Sequence, residues 1–290
     1  MFPHRMKNLL NRLEKLIWAK RSYRFLVRDW LALTDLNLAS EVMNTVRFSK
    51  NLQPLLLDHP AKKTILVIAP HPDDEIFGAG GTLLQAIEAG SVVHVVYLTS
   101  GNAGEHAVRE REALEVSRIC GFECSFLRGN GGSIELDDNF IGEISSQLAS
   151  LSPHIVMLPF LLDDNDDHRR ANELLLRLLP KGGPAPDFEI WAYQVYTALY
   201  PNVVIDITAV ADRKISLIRK FESQMKSRRW DLFSLGLNAW NIRYVSGRPD
   251  IESVESFFVC PASEYIKICV PYFEHPHHVY TNGAYMNASD

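Results

Sequence analysis

The stretch Ala69-Pro70-His71-Pro72-Asp73-Asp74-Glu75 constrains this chain more than any other. It follows an apolar run, Ile65-Leu66-Val67-Ile68, that reads as a buried strand. It precedes Gly78-Ala79-Gly80-Gly81-Thr82-Leu83-Leu84, which reads as a turn feeding a helix. One imidazole and three carboxylates therefore fall within five residues at a strand end. Open α/β sheets place their ligand sites at the carboxyl ends of strands. A His with nearby Asp is also a donor set that a borderline-soft cation such as zinc selects.

A second cluster repeats the pattern. His154-Ile155-Val156-Met157-Leu158-Pro159-Phe160 is strand-like and leads into Asp163-Asp164-Asn165-Asp166-Asp167-His168-Arg169-Arg170. Ala171, Leu174, Leu175, Leu178 and Leu179 then recur at helical spacing. Each apolar strand thus ends in an Asp/His cluster and then a helix. A parallel sheet brings two such strand ends to one edge, so that His71, Asp74 and His168 can meet on one metal.

Further strands are expected at 92–98, 190–196 and 203–207 beside those at 64–69 and 154–160. Helices are expected near 80–89, 107–119, 139–150, 168–179 and 209–226. This alternation predicts an α/β, Rossmann-like three-layer domain with a mostly parallel sheet over residues 61–270. Residues 227–250, with Trp230, Phe233, Trp240 and Tyr244, read either as an aromatic-lined loop near the site or as ordinary core aromatics. A dinucleotide fingerprint is excluded, because Gly78 and Gly80 would need a third glycine where Leu83 stands.

The chain of 290 residues is 47% hydrophobic, enough for one large domain with a substantial core. No run of about 18 apolar residues predicts a membrane span, and charges from Arg5 to Lys15 break any signal-peptide core. Cys120, Cys124, Cys260 and Cys269 form no Cys-x-x-Cys pair and read as unpaired thiols of a cytoplasmic protein. Residues 1–28 hold eight basic residues and one acid, a net of +7, so the remainder carries −12 of the chain's −5 total. An acidic body argues against nucleic acid as a partner. Residues 1–60 read as a helical extension whose first part is basic and amphipathic. That part suits peripheral contact with an anionic membrane face, and equally suits packing on the body or on another subunit of a homo-oligomer. Residues 271–290 read as a tail, with His275, His277 and His278 in four positions.

The motifs resemble those of the PIG-L/LmbE-like zinc-dependent N-deacetylases. Pro70-His71-Pro72-Asp73-Asp74-Glu75 matches their first motif, and Asn165-Asp166-Asp167-His168 aligns with their His-Pro-Asp-His. Thr99 to Glu105 resembles their Gly-rich loop, Arg109-x-x-Glu112 their Arg/Glu helix, Glu222-Ser223-Gln224 their Ser-Gln element, and Val254-Glu255-Ser256-Phe257 their closing strand. The likeness covers residues 62 to 262. It implies Zn2+ held by His71, Asp74 and His168, with a carboxylate beside them acting on the water. Sequence alone does not choose between Asp73 and Asp74 for these two tasks; the family pattern makes Asp74 the ligand and Asp73 the general base. Two His and one carboxylate suit Fe2+ as well. Asp167 is expected to orient a ligand or the base, and Glu75 to support the loop. Arg109 is expected either to contact substrate or pair a carboxylate, or to pair with Glu112 on the surface. The implied substrate is an N-acetylated amino sugar of the N-acetylglucosamine type, linked to a lipid, a thiol-bearing alcohol, a nucleotide or a glycan. Asn165 departs from the family His. It is expected to donate from its amide to a developing oxyanion, or to leave that task to His106 or a histidine of the 275–278 tail, or to mark a slowed enzyme or a binding homologue. An amidase acting on another N-acyl group is the alternative within enzymes.

Overall fold

The computed structural model describes residues 54–101, 104–132, 134–179, 186–197 and 199–273. The basic segment 1–28, the histidine tail, and Asn102 and Ala103 of the Gly-rich loop lie outside the described residues.

Eight strands form one sheet: β1 (Leu55–Leu57), β2 (Thr64–Ala69), β3 (Val92–Thr99), β4 (Glu123–Gly129), β5 (Ile155–Pro159), β6 (Glu189–Tyr193), β7 (Val203–Asp206) and β8 (Val254–Pro261). Their spatial order is β1-β7-β8-β6-β5-β2-β3-β4. Only β8 runs against its neighbours, β6 and β7; the other pairings are parallel. The described residues hold eight helices: α1 (Asp74–Glu88), α2 (His106–Cys120), α3 (Asp138–Leu151), α4 (Asp166–Leu178), α5 (Ala211–Ile218), α6 (Glu222–Met225), α7 (Trp230–Trp240) and α8 (Ala262–Phe273). Strand β2 explains the layering. Ile65, Val67 and Ala69 belong to the core on one face, Leu66 and Ile68 to the core on the other, and all five are fully buried. A strand buried on both faces reads as a continuous apolar run, which is why it is legible.

The chain leaves β2 toward β3 and leaves β5 toward β6, in opposite directions across the sheet. Strands β2 and β5 are adjacent, with Ile65 beside Ile155 and Val67 beside Met157. Such a reversal opens a crevice at the carboxyl ends of the strands. Both charged clusters emerge there.

Several elements differ from expectation. Helix α1 starts at Asp74, not near residue 80, and takes in the glycines read as a turn. A Cβ on Gly78 would lie 2.1 Å from Cδ2 of Tyr193, and one on Gly81 would lie 2.7 Å from Ile207. These glycines let the helix approach the sheet closely. The expected helix 209–226 breaks at residues 219–221 into α5 and α6. Leu55–Leu57, inside the segment read as a helical extension, pairs with β7. Residues 227–250, read either as an aromatic-lined loop or as core aromatics, hold α7 and a short 3-10 turn, Asn241–Tyr244. All four cysteines are free. Among the described residues, no helix is long and apolar enough to cross a membrane.

Candidate active site

Strand β2 delivers His71 to the crevice and α1 begins at once, with Asp73 as its N-cap residue. Asp73 has φ 134°, a backbone conformation that non-glycine residues rarely adopt. Strain of this kind persists where surroundings enforce it. Here the Asp73 N–H donates to Oε2 of Glu75 (3.1 Å), and Arg109 grips the turn. The Nη2 of Arg109 donates to the Pro72 carbonyl (2.8 Å) and to Oδ2 of Asp73 (3.1 Å). Arg109 is buried and its carboxylate partner is Asp73. Glu112 instead accepts from the N–H and hydroxyl of Ser223, at 2.9 and 2.6 Å. The Arg/Glu helix and the Ser-Gln element therefore meet in space.

Three donors converge on one point. Oδ2 of Asp74 lies 3.1 Å from Nδ1 of His71 and 3.1 Å from Nε2 of His168. Ligand atoms of His71, Asp74 and His168 all lie within 4.8 Å of one another, and the group could hold a metal ion. The opposite edge of each ring meets a carboxylate. Nε2 of His71 faces Oδ2 of Asp167 at 2.9 Å, and Nδ1 of His168 faces Oδ1 of Asp163 at 3.0 Å. Such outer carboxylates fix the tautomer and orientation of metal-binding imidazoles. Both are themselves anchored. Asp167 accepts from the Gly132 N–H (2.7 Å), and Asp163 from the N–H groups of Asn165 (3.1 Å) and Tyr196 (3.0 Å). Oδ1 of Asp74 is buried with no hydrogen-bond partner among the described residues, which fits a cation as its missing neighbour. Two imidazoles and a carboxylate are a donor set for zinc or Fe(II).

The electrostatics follow from burial and charge. Burial disfavours charge on His71, yet Asp74 and Asp167 raise its pKa to about 9. Burial likewise opposes charge on His168, but Asp74 and Asp163 raise it to about 10. Asp74 is held well below the usual carboxylate range by the two imidazoles, against the effect of its burial. Asp73 goes the other way. Burial pushes it up to about 7, with Arg109 pulling against the rise. Glu75, buried and bonded to the Tyr97 hydroxyl (2.8 Å), is pushed up to about 8 by burial. Neighbouring carboxylates thus have opposite proton affinities, the pattern that separates a ligand from a base.

Asn165 is the N-cap of α4: its Oδ1 accepts from the Asp167 N–H at 2.8 Å. The ring of Tyr196 stacks on His168, with centroids 5.3 Å apart. Tyr196 also touches Trp230, and both line an apolar cleft with Phe77, Val195, Phe233 and Leu237.

Residues 66–179, which carry both clusters, match the family described as PIG-L: GlcNAc-PI de-N-acetylase. This stretch is a PIG-L domain. The chain is 26% identical to a diacetylchitobiose deacetylase of Thermococcus kodakarensis over 246 residues, 70% of this chain and 88% of that relative. It is 24% identical to a 4-oxalmesaconate hydratase of Pseudomonas putida over 202 residues, 60% of this chain and 78% of the relative. Among solved structures, N,N'-diacetylchitobiose deacetylase from Pyrococcus horikoshii, complexed with its inhibitor MPG, superposes with TM-score 0.59 at 24% identity. That superposition covers 70% of this chain and 85% of the other. At this identity the likeness concerns the fold.

The PIG-L domain places Asp73, Arg109 and Asp167 beside the His71, Asp74 and His168 group, while Glu112 turns to Ser223 and Asn165 caps α4. Sequence reasoning missed Asp163 and Tyr196. Asp163 carried a signal, because it opens the charged cluster at the end of the second strand. Tyr196 carried none: its contact with His168 depends on how the segment after β6 folds back over the crevice.

Proposed function

We propose that this protein is a metal-dependent hydrolase that removes the acetyl group from an N-acetylated amino sugar of the N-acetylglucosamine type. One observation carries the reading: His71, Asp74 and His168 converge beside Asp73, a carboxylate pushed up to about 7. A general base is most effective with a pKa near the working pH. The diacetylchitobiose deacetylase relative supports the reaction class.

Zn2+ held by His71, Asp74 and His168 would supply a water of lowered pKa and polarise the acyl oxygen. Asp73 takes a proton from the attacking water and returns it to the departing sugar nitrogen. Its Oδ2 is tied to Arg109, so Oδ1 is the atom that receives the proton. Arg109 keeps Asp73 aimed and limits the rise of its pKa. Asp167 and Asp163 hold the two rings. The Asn165 side chain, its oxygen fixed by the helix cap, presents its amide N–H groups to the carbonyl oxygen as charge develops there. Tyr196 and Trp230 offer faces to the sugar or its aglycone, which the cleft suits as a lipid or glycan. Four free thiols support a reducing compartment, the cytoplasm.

A second reading rests on the hydratase relative. The same activated water added to a carbon–carbon double bond would be a hydration. Metal content and acetate release, measured together on purified protein with free and linked N-acetyl sugars, separate the two. One equivalent of metal with chelator-sensitive acetate release supports the deacetylase. Metal without acetate, but with hydration of an unsaturated acid, overturns it.

A further inference from the structure

Helix α7 is amphipathic in the reverse sense. Its inward side is polar: Asp231, Ser234 and Asn238 are buried. Its outward side is apolar: Leu232 is 52% exposed, Phe233 46%, Leu235 43% and Trp240 65%. At 3.6 residues per turn these four positions fall on one side of the helix. The inversion is not a packing fault. Asp231 accepts from Arg219 and Arg229, and Asn238 accepts from Nζ of the buried Lys214 and donates to the Val254 carbonyl. A surface helix ordinarily turns its polar face to water. A contiguous set of large apolar side chains turned outward marks an interaction surface.

Charge identifies the occupant. From Arg219 to Arg243 the chain carries six cations (Arg219, Lys220, Lys226, Arg228, Arg229, Arg243) and two acids (Glu222, Asp231). This is a net of +4 within a chain whose total is −5. Lys226, Arg228 and Arg243 are exposed around the apolar face. The guanidinium of Arg243 lies 4.7 Å from the Trp240 ring centroid and that of Arg228 lies 5.7 Å from the Trp230 ring centroid. A second copy docked through this face would set Lys226, Arg228 and Arg243 against their own copies. The basic segment 1–28 of this chain would be repelled in the same way. An anionic leaflet offers phosphate charge outside and hydrocarbon beneath, and Trp beside Arg suits the headgroup level between them.

We propose that α7 docks on an anionic lipid surface. Leu232, Phe233, Leu235 and Trp240 enter the acyl boundary while Lys226, Arg228 and Arg243 meet the phosphates. Phe233 and Trp230 also line the cleft beside Tyr196, so the surface adjoins the candidate active site. The docking does not depend on which reaction that site performs.

The test is sedimentation of the full chain with vesicles of phosphatidylglycerol and phosphatidylcholine, and with vesicles of phosphatidylcholine alone. The protein is expected to sediment with the anionic vesicles and to be released as salt rises. The double variant Leu232→Glu/Leu235→Glu is expected to partition at least about ten-fold more weakly, with its thermal midpoint unchanged because both side chains are exposed. Lys226→Glu/Arg228→Glu is expected to lose binding to the anionic vesicles without touching the apolar face. A native protein that ignores both vesicle types overturns the proposal. So do α7 variants that bind as tightly as the native chain, which would assign membrane contact to residues 1–28. Conversion of a dimer to monomers by Leu232→Glu/Leu235→Glu, with vesicle binding intact, also overturns it in favour of a subunit interface.

Discussion

Asp163 Oδ1 sits 3.0 Å from Nδ1 of His168, across the ring from Asp74, whose Oδ2 is 3.1 Å from Nε2. His168 is fully buried between two carboxylates, so its orientation is set from both sides. Asp163 is the first charged residue after β5, and its backbone donors tie the ring to the turn that carries Tyr196. Substituting Asp163→Asn keeps the shape but removes the charge that favours the Nδ1–H tautomer. Metal affinity is expected to fall about 10- to 100-fold with the fold intact. Competition with a chromophoric chelator measures it, and an unchanged dissociation constant would remove Asp163 from the metal centre.

Proton release should accompany metal binding. Without metal, His71 titrates at about 9 and His168 at about 10, both above the ordinary value of 6.5. A ligand must be neutral, so near pH 7 both rings give up a proton on binding, and affinity rises with pH until about 9 to 10. The same shifts act on the metal-free fold. Raised histidine values stabilise it fully below pH 6.5, and this contribution is lost as pH rises through 9 and 10. Calorimetry in buffers of different ionisation enthalpy is expected to count close to two protons at pH 7. A count of zero would exclude charged rings in the free site.

Asp73→Asn should leave the metal in place and cut acetate release by about 10²–10⁴, since Asp73 is not among the three residues that could hold an ion. Arg109→Met is the finer test. Burial raises Asp73 and the Arg109 charge opposes that rise. Removing the charge therefore moves Asp73 above 7, and the acid limb of the pH–rate profile moves to higher pH. A limb that stays in place would assign the base elsewhere.

The glycines of α1 are expected to differ sharply from glycines that merely occupy helices. A Cβ at Gly78 would lie 2.1 Å from the Tyr193 ring, whereas one at Gly142, inside α3, meets nothing within 4 Å. Gly78→Ala should cost about 1–3 kcal/mol through forced repacking and loosen the metal site, because α1 carries Asp74. Gly142→Ala should be neutral or stabilise by about 0.5–1 kcal/mol. Thermal melts of the two variants decide it, and equal effects would mean that Tyr193 yields freely.

The strands that position the site were legible because burial on both faces leaves a continuous apolar signature, as in Ile65 to Ile68. The charged residues after β2 and β5 stood out against such runs for the same reason. Other elements hid for physical reasons. Gly78 and Gly81 look like turn residues in one dimension, and only the neighbouring Tyr193 and Ile207 show why a helix needs them. Edge strand β4, Glu123–Gly129, has no fully buried residue and so no apolar run. Helix α7 turns its apolar side outward, so its pattern matches no core-facing template. Spacing offered Arg109 only Glu112, and tertiary packing gave it Asp73.

Asn165 holds two potential duties that one substitution can separate. Its Oδ1 caps α4 at the Asp167 N–H, and its amide is the proposed donor to the developing oxyanion. Asn165→Ala loses both, with about 0.5–2 kcal/mol of stability for the cap and about 10²–10³ in rate for the donor. Asn165→Asp keeps a capping oxygen, now charged and well placed at a helix N-terminus, but cannot donate. The expected signature is native stability with a rate as low as that of the alanine variant. Full activity in Asn165→Asp would reduce Asn165 to a helix cap and place the oxyanion donor on another group around the cleft.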